Sequence, residues 1–301
     1  MVSVEFVGGV VLNSDHVHGS TKRCHQHERQ RFASLVQSDA GFPLLEAAVA
    51  LAQDEYPELD VAQVLADVDQ LAARLKRRLP SDAGPLQKLR LLNQFFFSDL
   101  GFAGNVNDFH DPDNSYLNVV LQTRRGIPIS LTVLWLELAQ GLGLAARGIG
   151  FPGHFMLKVN LPNGQVVIDP LSGQSQSRES LLERLEPYRQ DGDLIDGSLA
   201  SLSPFLQTTT PREIIARMLR NLKEIYSLEQ DWVRLLAVQD RLVVLQPLAW
   251  VEYRDRGQAY AQQGKFRAAL ADLELYLAQV QGAQDRGAVA WQVAEMRRSI
   301  I

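Results

Sequence analysis

The sequence predicts an α+β fold, and three observations carry that prediction. Helix-period segments fill the chain from Phe32 to Leu100, and helical patterning returns after Thr210. Between them lie two strand-like runs, Pro152-Gly153-His154-Phe155-Met156-Leu157-Lys158-Val159 and Gln165-Val166-Val167-Ile168-Asp169-Pro170. The turn signal Pro162-Asn163-Gly164 joins the two as an antiparallel hairpin, so the strands form a small sheet set among helices. With 301 residues there is room for two domains with cores of their own.

Taken in order, residues 1–31 are a poorly defined arm. They hold His16, His18, Cys24, His25 and His27, ligand types suited to zinc, but the spacing fits no closed structural site. From Phe32 the pattern is helical: an alanine- and leucine-rich run from Leu44 to Asp54, then Val61, Val64, Leu65, Val68, Leu71 and Leu75 behind Asp60 as N-cap. A third helix is opened by Pro85 and closed by Gly101, with Phe95, Phe96 and Phe97 as core. Gly101 to Asp113 is an oxygen-rich loop containing His110, a second-choice site residue. Asn114-Ser115 is expected to start a short helix through Tyr116, Leu117 and Val120.

The run from Gly126-Ile127-Pro128-Ile129-Ser130-Leu131 to Gly141-Leu142-Gly143 reads as a helix apolar on every face, hence buried nearly all round, with Pro128 in its first turn. The hairpin follows. A polar stretch from Leu171 to Ser203 contains one amphipathic segment, Leu181 to Tyr188, with a Ser180-x-x-Glu183 capping box. Thr210-Pro211-Arg212-Glu213 is a clear helix start, with Thr as N-cap, Pro at N1 and Glu at N3. Tyr226 and Tyr260 stand 34 residues apart, the tetratricopeptide period, and Tyr253, Gly257, Tyr260, Gly264, Ala269 and Leu273 fit that repeat. Arg254-Asp255-Arg256, just before Gly257, reads as an ion-pair network across that junction in preference to a ligand site. The division expected is therefore an arm (1–31), a helical lead-in plus core (32–207) and a tetratricopeptide-like helical region (208–301).

Composition restricts the function classes. A net charge of −5 and a pI near 5.7 argue against nucleic acid or an anionic membrane as partner of the whole chain. One cysteine precludes an internal disulfide framework, and neither a signal-peptide pattern nor a membrane-length apolar run is present, so the expected compartment is the cytoplasm. The sequence implies no cofactor.

The hairpin sets the chemistry. His154 near the start of one strand and Asp169 at the end of the other fall at the same end, beside the buried helix start. A helix N-terminus with a strand His and a neighbouring strand Asp is the arrangement of a papain-like Cys-His-Asp site. Together Asn114-Ser115-Tyr116-Leu117-Asn118, Gly126-Ile127-Pro128-Ile129-Ser130-Leu131, Pro152-Gly153-His154-Phe155 and Ile168-Asp169-Pro170 resemble the bacterial SirB-type family, over about residues 32–280. That resemblance implies a transglutaminase-like core followed by tetratricopeptide-like helices, and the Cys position of the transglutaminase pattern falls on Pro128. The thiol and one backbone N–H of an oxyanion site are both missing there.

Ser130, the nearest hydroxyl, lies about 200° round the helix from that position, and reads better as a cap than as a nucleophile. Three readings follow. The first is a catalytically silent module that binds a protein or peptide partner, the second a hydrolase or acyltransferase using Ser130, His154 and Asp169, and the third a metal-dependent protein using the N-terminal histidines.

Overall fold

The computed structural model describes residues 29–188 and 202–300. Residues 1–28 of the arm, with Cys24 and its four histidines, lie outside the described residues, whereas its last three, Arg29 to Arg31, are helical. Helix α1 (Leu44–Ala50) runs into a 3-10 turn, and α2 (Val61–Lys76) follows, its N-cap Asp60 accepting the Gln63 N–H at 3.1 Å. Helix α3 (Pro85–Asn93) widens into a π-helical turn at Gln94–Asp99, a departure from the plain helix expected there. That turn buries Phe95 and Phe96, and Phe96 stacks on Phe102 with ring centroids 4.3 Å apart.

Strand β1 (Ala103–Gly104) pairs in parallel with β2 (Arg125–Gly126), bracketing a 3-10 turn at Pro112–Ser115 and helix α4 (Leu117–Thr123). Asn114 and Ser115 thus do not start the short helix, because Asp111 caps the 3-10 turn through the Asp113 N–H at 2.9 Å and the α-helix begins beyond Tyr116. Helix α5 (Pro128–Gly141) keeps its expected bounds. Its residues Pro128 to Trp135 are all buried, which is what a helix without a polar face requires.

The main sheet is antiparallel, in the order β5-β4-β3-β6, from β3 (Ala146–Ile149), β4 (Met156–Leu161), β5 (Gly164–Ile168) and β6 (Thr208–Thr209). The hairpin register pairs Leu157 with Ile168 and closes at Leu161 and Gly164. Helix α6 (Arg178–Leu185) starts a turn earlier than expected: Ser177, not Ser180, is the N-cap, its side chain accepting the Ser180 N–H at 3.2 Å.

The remaining helices are α7 (Pro211–Leu228), α8 (Trp232–Leu245), α9 (Trp250–Gln262), α10 (Phe266–Gln279) and α11 (Arg286–Ile300). Helix α7 begins at the Thr210 capping box, where the Glu213 carboxylate accepts the Thr210 N–H at 2.7 Å. Its buried residues Ile214, Met218, Leu219 and Leu222 belong to the same hydrophobic cluster as Leu131 and Trp135, so the first helix of the C-terminal region shares the core. A separate cluster of Ala269, Leu273, Tyr276 and Val289 holds the last helices together. Gly257 permits the close approach of α9 and α10, since a Cβ there would stand 2.8 Å from Leu273 Cγ. Acidic and basic side chains join this junction: Arg256 reaches Asp272 at 2.7 Å and Asp240 at 3.0 Å, while Arg254 reaches Asp285 at 2.6 Å.

Candidate functional site

The site is a cleft of about 170 Å³ between the start of α5, the turn before β4 and one face of α7. Pro128 and Ile129 supply the wall from α5, Gly153, His154 and Phe155 the wall from the turn, and Arg217, Asn221 and Glu224 the wall from α7. His110 and Asp111 complete it from the oxygen-rich loop, and Ser115 from the end of the 3-10 turn.

His154 does not sit in a strand. Residues 152–154 form a turn, and β4 begins at Met156 because Gly153 reverses the chain with φ +63°, tight under Tyr188. The His154 N–H donates to Phe151 O at 3.0 Å, which fixes the turn. Asp169 follows the last residue of β5, and the hairpin register brings the two side chains together: His154 Nε2 lies 3.1 Å from Asp169 Oδ1.

The carboxylate is held on several sides. Oδ1 also accepts the Leu171 N–H at 2.9 Å, and Oδ2 accepts a hydrogen bond from Arg184 Nη2 at 3.1 Å. Burial by itself would push the Asp169 carboxyl up. The hydrogen bonds from His154 and the Leu171 N–H, with the charges of His154 and Arg184, outweigh it and hold the group below its ordinary value. Since Nε2 is engaged by Asp169, Nδ1 is the imidazole nitrogen left over.

Ser130 stands apart from this pair. It is 0% exposed and absent from the cleft wall, and its hydroxyl donates to Asn114 O at 2.6 Å while accepting the Ile127 N–H at 3.1 Å. The hydroxyl therefore ties the 3-10 turn at Asn114 to the first turn of α5 and satisfies an N–H at the helix start. Gly126 is required beside it, because a Cβ there would come within 2.7 Å of Ser130 Oγ. Of the three sequence-predicted residues, the structure thus brings His154 and Asp169 together and turns Ser130 into the interior. Pro128, which carries no N–H, faces the cleft in which His154 lies.

Several cleft residues were not read from the sequence as site residues, and two of them, Ser115 and Arg217, bear on the chemistry. Ser115 is buried, and its hydroxyl has no hydrogen-bond partner. Arg217 donates from Nη2 to His154 O at 2.9 Å and lies over the Phe155 ring at 5.3 Å from the centroid. Its signal was present: a lone cation inside Ile214-Ile215-Ala216-Arg217-Met218-Leu219, whose other members are all buried. Among the described residues no group of three or more His, Cys, Asp or Glu side chains is placed to hold a metal ion, and no helix is long and apolar enough to cross a membrane.

Comparison with known proteins agrees with this architecture. A family model of the transglutaminase-like superfamily matches residues 62–220, and a tetratricopeptide-repeat model matches residues 222–294. A UPF0162 protein of Xylella fastidiosa is 36% identical over 240 residues, covering 79% of this chain and 84% of that protein. One of Vibrio cholerae is 28% identical over 236 residues, covering 78% and 85%. The crystal structure of menin aligns over 83% of this chain and 68% of its own at 13% identity, with a TM-score of 0.44, too low to carry an argument. The first match spans more than half of the chain and the first relative nearly all of its own length, so the chain belongs to the transglutaminase-like superfamily, among the UPF0162 proteins.

Proposed function

We propose that the chain is a catalytically silent, SirB-type transglutaminase-like protein of the cytoplasm, a regulatory module that binds a protein or peptide partner through its cleft and its helical repeats. The observation that carries this reading is the Ser130 hydroxyl, 0% exposed and donated to Asn114 O at 2.6 Å. With Pro128 at the helix start, the cleft has an oriented imidazole but no thiol, and the one hydroxyl in α5 near it serves the fold. Nucleophilic catalysis needs the nucleophile within hydrogen-bond reach of its base, and that pairing is missing for Ser130. The His154–Asp169 pair then acts as a clamp that pins the turn before β4 to the end of β5 and shapes the wall of a binding cleft. The tetratricopeptide-like helices beyond α7 add surface of a type that commonly receives protein partners.

The test is turnover. The full chain, incubated with p-nitrophenyl acetate and with a glutamine-containing peptide plus an amine, is expected to release neither nitrophenol nor ammonia above the rate of the His154→Ala variant. Turnover that disappears in His154→Ala would instead establish the hydrolase or acyltransferase reading.

A further inference from the structure

Arg217 is the one Arg or Lys side chain in the cleft wall, and among the described residues no carboxylate lies within ion-pair distance of it. A guanidinium carries five N–H donors, and the structure assigns one of them, to His154 O at 2.9 Å. The group is held in place by that bond and by the Phe155 ring beneath it, so its orientation is set before any ligand arrives. Burial lowers its pKa, the sign of a charge taken from water without compensation. A cleft of about 170 Å³ is small beside ordinary ligand pockets of roughly 300–1,000 Å³, and suits one residue or a small acid.

We infer that the cleft is a carboxylate site, in which Arg217 receives the carboxylate of a peptide C-terminus or of a small organic acid. Arginine suits this role because its planar fork matches the two oxygens of a carboxylate. The Ser115 hydroxyl is a buried polar group of the wall left without a partner, and stands as a further donor for the same ligand. Glu224 lies two helical turns from Arg217, roughly 10 Å along the axis, with no cation paired to it among the described residues, and sets the opposite sign away from Arg217. An anionic ligand is therefore drawn to the Arg217 end. The inference rests on the reading of the cleft as a binding site and adds its ligand chemistry.

The experiment titrates the full-length protein, by calorimetry and by NMR of its arginine side chains, with N-acetylalanine, N-acetyl-trialanine, N-acetylalaninamide and inorganic phosphate. Both acids are expected to bind, with the amide at least about tenfold weaker, as loss of a charge-assisted pair requires. Arg217→Gln is expected to bring the acids down to the level of the amide. Since Arg217 also holds the His154 carbonyl, Glu224→Gln serves as the variant that leaves this bond in place. Removing that negative charge is expected to tighten acid binding about twofold.

Tighter binding of the tripeptide than of the single residue assigns the site to a peptide C-terminus, and equal binding assigns it to a small acid. The inference is overturned if acid and amide bind alike, if phosphate binds more tightly than either acid, if Arg217→Gln binds as the wild type does, or if Glu224→Gln loosens binding. Mass spectrometry of the recovered probes separates the two claims. Unbound, intact probe refutes the carboxylate site alone, whereas cleaved or transferred probe refutes the silent site.

Discussion

At the scale of single residues, Asp169 has the largest consequence, because three donors converge on one buried carboxylate: His154, the Leu171 N–H and Arg184. Removing the imidazole leaves a cavity and deletes one of the bonds, so His154→Ala is expected to lower stability by about 1–3 kcal/mol, read as a drop in urea midpoint. The sign of the acid response follows from the depressed carboxyl. Its stabilisation is complete above the unfolded-state value, near the ordinary 3.8, and is lost as pH falls through the lower folded-state value. The urea midpoint is therefore expected to fall below about pH 4, and more shallowly in His154→Ala, which has lost the first of the lowering interactions. Parallel curves for the two proteins would show that His154 does not set the Asp169 carboxyl.

The His154–Asp169 contact was legible in the sequence because a two-residue turn fixes a hairpin register, and register fixes which side chains share an end. The position of His154 in a turn was not, since strand propensity continues through Phe155 while Gly153 ends it by conformation.

At the scale of elements, α5 can be tested by restoring what it lacks. Pro128→Cys puts a thiol at a buried helix start facing the cleft of His154, where the helix dipole and a neighbouring imidazole that can take its proton favour the thiolate. Its alkylation by iodoacetamide at pH 7 is expected to be at least about tenfold faster than in the Pro128→Cys/His154→Ala double variant. Equal rates would place position 128 out of reach of His154.

The α9–α10 junction offers a second test. Arg256 is paired with both Asp240 and Asp272, each buried; Asp240 also holds Arg29 at 2.7 Å, so Arg256→Ala would leave Asp272 as the buried carboxylate without a cation. The expected loss is about 3–5 kcal/mol, measured by denaturant titration. Helix starts with a complete local signature, as at Thr210, were legible to the residue. The start of α6 was displaced because Ser177 and Ser180 offer equivalent chemistry three residues apart, and it is Ser177 that accepts the Ser180 N–H. The inward Arg217 was missed since its value depends on β4 and α5, which approach α7 only in the folded chain.

At the scale of the whole molecule, α7 belongs to two units at once: it opens the C-terminal helices and completes the core that holds the cleft. Two tetratricopeptide-like units are fewer than a free-standing solenoid needs, and Ile214, Met218, Leu219 and Leu222 would be left without cover. A fragment of residues 208–301 is therefore expected not to melt cooperatively by circular dichroism. A sharp transition in that fragment would show that the helices need no core.

The central claim, that the cleft keeps an oriented histidine without a nucleophile at the start of α5, is tested most directly by covalent labelling. The full chain and its His154→Ala variant are treated with a fluorophosphonate, and adducts are located by peptide mass spectrometry. The account predicts no adduct at Ser130 in either protein, because that hydroxyl is buried and donated to Asn114 O. An adduct at Ser130 that vanishes in His154→Ala would contradict it.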